Sequence, residues 1–325
     1  MPGPLTAAGR AVRGQFESMW HAWDRFWFTP VEARSLGLLR LLSGLMLVYT
    51  HLVWGLALDE FFGPRGWQDP ELVRTIQQES WASSLWWFVP PEWLWPVHCG
   101  CLVILALYAA GLWTRVASLL SLVIAISYAH RVPMATFGLD QINILLCLYL
   151  TLAPSGDYFS LDSLIRRRSR GGAGAADRSD AQRTVDPAPS TAAGIARRLI
   201  QVHIAILYLS AGIAKLKGET WWDGTAIWLG AANFEYQSGS LLWLAWHPRL
   251  VDLLTHLTIL WELTFIVFVW KPIYRPFVLL GGVLVHLGIG LFLGMWTFGL
   301  IMICTYISFL PPELFRRRGE TLTAP

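Results

Sequence analysis

Charged residues are scarce in this sequence. Only 14% of its 325 residues are Asp, Glu, Lys or Arg, whereas 54% are hydrophobic. Soluble domains usually carry about 25% charged and about 45–50% apolar residues. The deficit excludes a soluble enzyme, a disordered chain and a nucleic-acid-binding protein, and a formal net charge of +3 is too small to attract an electrostatic partner. The composition predicts an integral membrane protein.

Cysteine is also scarce and carries no metal signature. No CxxC pair and no Cys/His spacing typical of a metal site occurs, so we predict no metal. The compact apolar region of a signal peptide is absent too, because the basic start of the chain precedes an amphipathic stretch. We interpret the four cysteines, which all lie inside apolar runs, as small residues in helix packing: Cys99, Cys101, Cys147 and Cys304.

Apolar segments that approach the length of a membrane-spanning helix recur along the chain. A spanning helix needs about 20 mainly apolar residues. We therefore predict an all-α, polytopic membrane helical bundle with about eight transmembrane helices plus interfacial helices. The third and fourth segments are short and depend on neighbouring helices. The eight segments are 32–58, 91–112, 115–131, 138–154, 194–216, 249–270, 274–292 and 294–310.

The segments around these spans divide the chain into five regions. Residues 1–30 carry aromatic residues at helical spacing opposite polar ones, which is typical of an interfacial amphipathic helix. Residues 31–164 and 194–312 form two transmembrane halves of four spans each. Residues 165–193, rich in Gly, Ala, Ser, Pro and charge, are predicted to be a flexible cytoplasmic linker. Residues 313–325 form a cytoplasmic tail.

The distribution of basic residues predicts the orientation. Cytoplasmic loops of membrane proteins carry an excess of Lys and Arg. Both termini are therefore predicted to be cytoplasmic in a multi-pass protein of the inner (plasma) membrane, and the long segments 59–90 and 217–248 face outward. Five clusters fall on one side of the eight spans: Arg10 and Arg13; Arg115; Arg166 to Arg168 with Arg197 and Arg198; Lys271 and Arg275; and Arg316 to Arg318.

Two charged residues lie deep within predicted spans. Insertion of a charged side chain at the bilayer centre costs about 2.5–3.5 kcal/mol. For Arg40, in the run LGLLRLLSGLML, we favour a structural ion pair or a helix-end contact over substrate binding. Glu262, in ILWELTF, is similarly deep and is a candidate partner for Arg40, although spacing alone does not pair them.

Lys215 closes the fifth predicted span and is the strongest candidate for chemistry. Gln201, Tyr208 and Lys215 recur every seven residues and share one helix stripe, and Gly212 beside them allows a neighbouring backbone to approach closely. A lysine that faces protein can act as a general base near neutral pH. The alternative is a lysine that snorkels to the outer interface beside Lys217.

Two further residues are predicted at the same outer depth. Asp140 starts the fourth span, where it serves either as an N-terminal helix anchor or as a catalytic acid. His286 lies in the seventh span among Gly282, Gly290 and Gly294, a ladder that indicates a close helix crossing with the imidazole facing inward, as a core or a functional histidine.

A common site follows from this placement. Asp140 and His286 are predicted at the same depth as Lys215 and as Asp223 of the outer WWDG segment. This arrangement indicates a proton-transfer site or, equally, a polar binding cavity.

Several motifs resemble a known membrane family. The segment YLSAGIAKLKGETWWDGTA resembles the signature of the horizontally transferred transmembrane (HTTM) domain, the membrane domain of vitamin K-dependent gamma-carboxylase. The stretches FTPVEARSLGLLRLLSGLMLV, FGLDQINILLCLYLTLAPSGDYFSLD and VHLGIGLFLGMWTFGL are similar to the corresponding stretches in the same order. The resemblance covers residues 28–312 and implies a reduced quinone of the vitamin K or menaquinol type as cofactor.

The resemblance also implies roles for individual residues. In the carboxylase, the lysine matching Lys215 deprotonates vitamin K hydroquinone, which drives glutamate carboxylation with oxygen and carbon dioxide. The histidine matching His286 belongs to the same lumenal region, and Asp140 stands where the carboxylase has a catalytic histidine. We expect these three residues to be catalytic and expect quinone contacts at Tyr208, Gly212, Trp222 and Asp223.

One departure from the family bears on the substrate. The chain ends soon after the last predicted span and lacks a counterpart of the large lumenal region that helps the carboxylase to bind its protein substrate. We therefore do not expect carboxylation of a propeptide-bearing protein.

Three functional hypotheses follow. The first is a carboxylase-like or quinol-epoxidising membrane enzyme, a lyase or an oxidoreductase. The second is a non-catalytic lipid- or quinone-binding module that works with a partner membrane or extracytoplasmic protein. The third is a transporter, which is disfavoured because no inverted repeat and no Pro/Gly-broken helix pair is visible. Membrane lipids are partners in all three, and nucleic acid in none.

Overall fold

The computed structural model describes residues 4–171 and 187–315. In this part of the chain the regular structure is helical, apart from one antiparallel bridge between Val31 and Ser190. The α-helices are α1 (Pro4–Phe28), α2 (Arg34–Gly55), α3 (Leu58–Phe62), α4 (Pro70–Gln77), α5 (Leu94–Ala110), α6 (Thr114–Arg131), α7 (Gly138–Leu152), α8 (Leu161–Gly171), α9 (Thr191–Lys215), α10 (Glu219–Trp222), α11 (Ala226–Ala231), α12 (Pro248–Phe268), α13 (Arg275–Leu293) and α14 (Trp296–Thr305). Short 3₁₀ helices lie at Leu85–Phe88, Pro91–Trp93, Pro133–Ala135, Leu242–Trp246, Tyr306–Phe309 and Pro312–Phe315.

Within residues 4–171 and 187–315, five helical segments are long and apolar enough to cross a membrane: α2, α5 with the turn before it, α9, α12 and α13. Helices α7 and α14 are apolar but shorter. Each of the eight predicted segments contains one helix, so the all-α fold class is confirmed, whereas the count of eight spans stays a prediction. The surfaces of these helices are apolar, with Leu280 and Leu284 of α13 56% and 62% exposed. An apolar exterior of this extent suits a lipid environment.

Local sequence signals set several helix ends. Ser190 caps α9, because its side-chain oxygen accepts a hydrogen bond from the Ala193 backbone N–H at 3.4 Å. Proline is found in the first turn of α12, at Pro248, and of α13, at Pro276, where a missing N–H disrupts no helical bond.

Two hydrophobic cores meet at α2. The first joins α2 to α7, α9, α12 and α14 and includes Leu39, Ile204 and Phe265. The second joins α2 to α3, α5 and α6 and includes Leu105 and Tyr108. The two predicted halves are therefore not separate packing units, because α2 and α7 of the first half share a core with the helices of the second.

The predicted N-terminal helix is present as α1. Its exposed residues include Phe16 and Trp20, which are 70% and 63% exposed. Its C-terminal end is fixed to α9, where Arg198 Nε donates to the Phe26 carbonyl at 3.0 Å and the guanidinium lies 4.4 Å from the Phe26 ring. Its position at a membrane interface stays a prediction.

The predicted linker begins later than its composition indicates. Helix α8 extends to Gly171 and so includes the first seven residues of the predicted 165–193 segment, because Leu161, Leu164 and Ile165 provide an apolar side opposite the arginines. Helix α9 already begins at Thr191. Residues 172–186, and the predicted tail beyond residue 315, lie outside the described residues.

Candidate functional site

Lys215 and Glu262 form an ion pair between α9 and α12. Lys215 Nζ donates to Glu262 Oε1 at 2.8 Å. The lysine side chain is 23% exposed and the glutamate side chain 9%, so water screens the pair weakly. The ammonium also lies 5.2 Å from the centre of the Trp221 ring, a cation–π distance. Lys215 thus faces protein groups.

A glycine allows the two helices of this pair to meet. A Cβ added at Gly212 would lie 2.9 Å from Leu263 Cδ2 and 3.3 Å from Glu262 Cβ. A larger residue at this position would therefore require the Leu263 side chain to move and would crowd Glu262. The close approach expected of Gly212 is therefore present, and its contact is with the glutamate helix.

A buried hydroxyl and imidazole network lies one level further into the bundle. Tyr208 Oη is 2.7 Å from His286 Nε2 and 2.5 Å from Tyr306 Oη. Tyr208 and His286 are only 3% and 4% exposed. Because a tyrosine hydroxyl both donates and accepts, Tyr208 can carry a proton between Tyr306 and His286. Tyr208 also packs against Trp261, the residue before Glu262 on α12, with 4.7 Å between ring centres.

Glycines hold His286 inside the α13–α14 crossing. A Cβ at Gly282 would lie 2.2 Å from Tyr306 Oη, and one at Gly299 would lie 2.5 Å from the His286 carbonyl oxygen. The imidazole faces inward, as the glycine ladder of α13 indicates, and its ring packs against Phe298 with 5.6 Å between ring centres. His286 Nδ1 has no hydrogen-bond partner among the described residues.

Asp140 lies in the first turn of α7 and makes its hydrogen bonds locally. Its Oδ2 accepts a hydrogen bond from the Phe137 backbone N–H at 3.0 Å, the geometry of a helix N-terminal anchor. It lines a cavity of about 10 Å³ with His51 and Tyr128. Within the described ranges, no hydrogen bond or ion pair joins Asp140 to Lys215 or His286. The structure therefore does not gather the three predicted catalytic residues around one cavity.

A second histidine cluster adjoins that small cavity through His51 and Tyr128 and was not predicted from the sequence. His98 Nδ1 is 2.6 Å from Tyr128 Oη, and the His51 ring lies 4.3 Å from the Tyr128 ring. The second ring nitrogens of His51 and His98 have no partners in the described part of the chain. Residue spacing could not reveal this cluster, because His51, His98 and Tyr128 lie on three separate helices.

The predicted quinone contacts Trp222 and Asp223 make their bonds locally. Trp222 is 65% exposed, and its indole N–H donates to the Leu216 carbonyl at 2.8 Å. Asp223 Oδ1 accepts from the Thr225 hydroxyl and backbone N–H at 2.5 and 2.9 Å. These bonds lower the pKa of Asp223 below its ordinary value. The neighbouring Trp221, which the sequence argument did not select, is the ring beside Lys215.

Arg40 does not pair with Glu262. Its guanidinium is fully buried and donates to the carbonyls of Tyr108 at 2.9 Å, Ala109 at 3.0 Å and Phe159. The first two carbonyls end α5, where the helix dipole favours a cation. Gly111 follows with φ +69°, and a Cβ there would lie 2.3 Å from Arg40 Nη1. Of the two roles weighed for Arg40, the geometry is that of a helix-end contact.

No group of three or more His, Cys, Asp or Glu side chains in the described residues could hold a metal ion. The described site contains groups that can exchange protons: the Lys215–Glu262 pair and the hydrogen-bonded Tyr208, His286 and Tyr306. Comparison with protein-family models, curated proteins and solved structures gives no match for this chain.

Proposed function

We propose that this protein is a quinol-using membrane enzyme of the gamma-carboxylase type, with Lys215 as its general base. The Lys215–Glu262 pair beside Trp221 is the observation that carries the proposal. Lys215 acts as a base in its neutral form, so in this proposal its proton first passes to Glu262, 2.8 Å away. The neutral amine then takes the proton of a quinol hydroxyl, and the ammonium that forms stabilises the quinolate. The reduced quinone, when bound, supplies the electrons that activate oxygen.

Unsatisfied polar atoms support a fit between the site and a quinol. Glu262 Oε2 and His286 Nδ1 are buried without partners among the described residues. Buried polar groups usually find hydrogen bonds, so such atoms are available to a ligand with hydroxyl groups. Lys215, Glu262 and Trp221 would hold a quinol ring at the outer end of α9.

The Tyr208 network supports proton removal from the site. Tyr208 packs against Trp261, the neighbour of Glu262, and bonds to both His286 and Tyr306. In this proposal the network holds protons released during turnover and orients His286. Asp140 acts from its own cavity as an anchor for α7, so we propose no direct role for it at the quinol.

The same proposal includes the placement in the membrane. Arg197 and Arg198 lie near the start of α9 and Lys215 at its end, so they are on opposite sides of the bilayer if α9 spans it. Basic residues mark the cytoplasmic side. In this proposal the protein lies in the inner (plasma) membrane with both termini in the cytoplasm. The Lys215 site is then on the outer side of the membrane.

A turnover assay tests this function. Full-length protein in lipid nanodiscs is given reduced vitamin K or menaquinol with oxygen, and quinone epoxide is measured. We expect epoxide from the wild type and none from Lys215→Ala. The matched control is Lys217→Ala, an exposed lysine two residues away, which should retain activity. No turnover with either quinol, or equal loss in both variants, contradicts the proposal.

A second candidate function is a non-catalytic quinone- or lipid-binding module that acts with a partner protein. Large exposed aromatic residues in the two long segments favour it, including Trp81 at 103%, Phe234 at 89% and Trp246 at 83% exposure. Exposed aromatic side chains suit a partner interface. This candidate predicts that Lys215→Ala retains bound quinone without turnover, and that a partner copurifies unless these aromatic residues are replaced by serine.

A further inference from the structure

A second, larger cavity lies at the opposite end of the bundle from Lys215. It has a volume of about 430 Å³ and is located where the α5–α6 turn meets the α7–α8 loop. Small-molecule sites usually measure about 300–1,000 Å³. The cavity is lined by two arginines, two aspartates and polar backbone, including Thr114, Arg115, Asp157, Asp162 and Arg166.

Both aspartates of this cavity are already engaged. Asp162 accepts hydrogen bonds from the backbone N–H groups of Trp113 and Thr114 at 3.0 and 2.9 Å and from the Thr114 hydroxyl at 2.8 Å. Partial burial opposes ionisation, but these bonds and the nearby Arg166 together lower the pKa of Asp162. Asp157 forms an ion pair with Arg166 at 3.0 Å. Neither carboxylate is therefore left to receive another cation.

Arg115 is the cation that remains. It is exposed at the cavity and makes no side-chain hydrogen bond or ion pair with the described residues. Its charge acts on Asp157 only at longer range. Among the described residues, the cavity thus presents one guanidinium without a direct hydrogen-bond or ion-pair partner, a group that binds phosphate oxygens in a bidentate manner.

Apolar surfaces adjoin the cavity on both sides. Along α6, Val116 and Leu119 beside Arg115 are 62% and 53% exposed. On α8, Leu164 and Ile165 are 51% and 53% exposed, and three consecutive arginines follow them. A helix with one apolar and one basic side is typical of the membrane interface. An anion at Arg115 would therefore lie at headgroup level, with apolar surface leading from it along α6.

We propose that this cavity binds an anionic membrane phospholipid, with its phosphodiester group on Arg115 and an acyl chain along the exposed side of α6. An anionic headgroup is preferred to a zwitterionic one, because Arg166 also lines the cavity and Arg167 and Arg168 follow it on α8, which gives this end of the helix excess positive charge. The site is independent of the quinol chemistry and lies on the predicted cytoplasmic side.

Native mass spectrometry of the full-length protein in detergent tests the site. The probes are dioleoyl phosphatidylglycerol and dioleoyl phosphatidylcholine. We expect the wild type to retain phosphatidylglycerol about tenfold better than phosphatidylcholine, and Arg115→Gln to lose about tenfold of that binding. The control is Lys271→Gln, an exposed basic residue on the same predicted side and outside the cavity, which should bind as the wild type does.

Three results would overturn the proposal. The first is equal phosphatidylglycerol binding by wild type and Arg115→Gln. The second is an equal loss in Lys271→Gln, which indicates general surface charge. The third is full displacement by millimolar inorganic phosphate, which indicates an anion site without a lipid. If Arg115→Gln fails to fold, the lipid preference of the wild type decides, and equal retention of both lipids refutes the site.

Discussion

Removing one partner of the Lys215–Glu262 pair should destabilise the bundle, and the two single substitutions should differ in their effect. Breaking a buried ion pair from one side costs about 3–5 kcal/mol. Lys215→Met leaves a carboxylate with 9% exposure, whose second oxygen already lacks a partner among the described residues. We therefore expect this variant to lose about 3–4 kcal/mol of unfolding free energy. Glu262→Gln leaves a lysine that still contacts the Trp221 ring and is partly hydrated. We therefore expect this variant to lose about 2 kcal/mol of unfolding free energy.

A double-mutant cycle measures the pair directly. Lys215→Met with Glu262→Gln removes both charges and should lose less stability than the two single losses together, with a coupling energy of about 1–3 kcal/mol. The assay is reversible unfolding of the purified protein in mixed dodecyl maltoside–dodecyl sulfate micelles, followed by circular dichroism and tryptophan fluorescence. Lys217→Met, at an exposed lysine, is the control and should change stability by less than about 0.5 kcal/mol.

Two outcomes would refute this reasoning. Single losses that add, with coupling below about 0.5 kcal/mol, would mean that the two charges do not interact in the folded bundle. A larger loss for Glu262→Gln than for Lys215→Met would mean that the glutamate is the better solvated partner, contrary to its 9% exposure.

Three other substitutions test separate parts of the structure in the same micelles. Gly282→Ala should cost about 1–3 kcal/mol by overpacking, since its Cβ would meet the Tyr306 hydroxyl, whereas Gly288→Ala has open space and should be neutral; equal effects contradict the crossing. Asp162→Ala should cost about 0.5–2 kcal/mol at pH 7, as loss of a helix cap does. The folded pKa of Asp162 is lowered, so the stabilisation by its carboxylate is complete above the unfolded pKa of about 3.9 and is lost as the pH falls through the folded pKa. The free energy of unfolding of the variant should therefore depend less on pH in the acid range than that of the wild type. Arg40→Met should cost about 2–4 kcal/mol, since three carbonyls lose their donor; an unchanged unfolding midpoint would contradict the helix-end role.

Hydropathy and residue spacing were sufficient to locate the apolar helices and the residues that α9 contributes to the site. Each predicted span contains a helix, and the seven-residue stripe places Tyr208 and Lys215 toward protein groups. Gly212 was correctly expected to permit a close approach. These predictions succeed because they depend on a single helix, whose geometry the local sequence determines.

Partners across helices could not be predicted. Glu262 lies 47 residues from Lys215, and Tyr208 lies 78 from His286. One sequence does not specify which helices become neighbours, so Glu262 was considered beside Arg40. Arg40 itself bonds to backbone carbonyls. Because every residue carries such a carbonyl, the sequence does not identify which ones bind Arg40.

Arg40 also has a consequence for how the protein is made. It belongs to the earliest of the long apolar helices, yet its three carbonyl partners lie 68, 69 and 119 residues further along the chain. Until the ribosome has synthesised those residues, the guanidinium lacks its three carbonyl acceptors, and the hydrocarbon core of the bilayer contains no groups that could replace them. A nascent chain halted before Phe159 should therefore keep α2 beside the translocon or water, and release into lipid should wait for the α7–α8 loop.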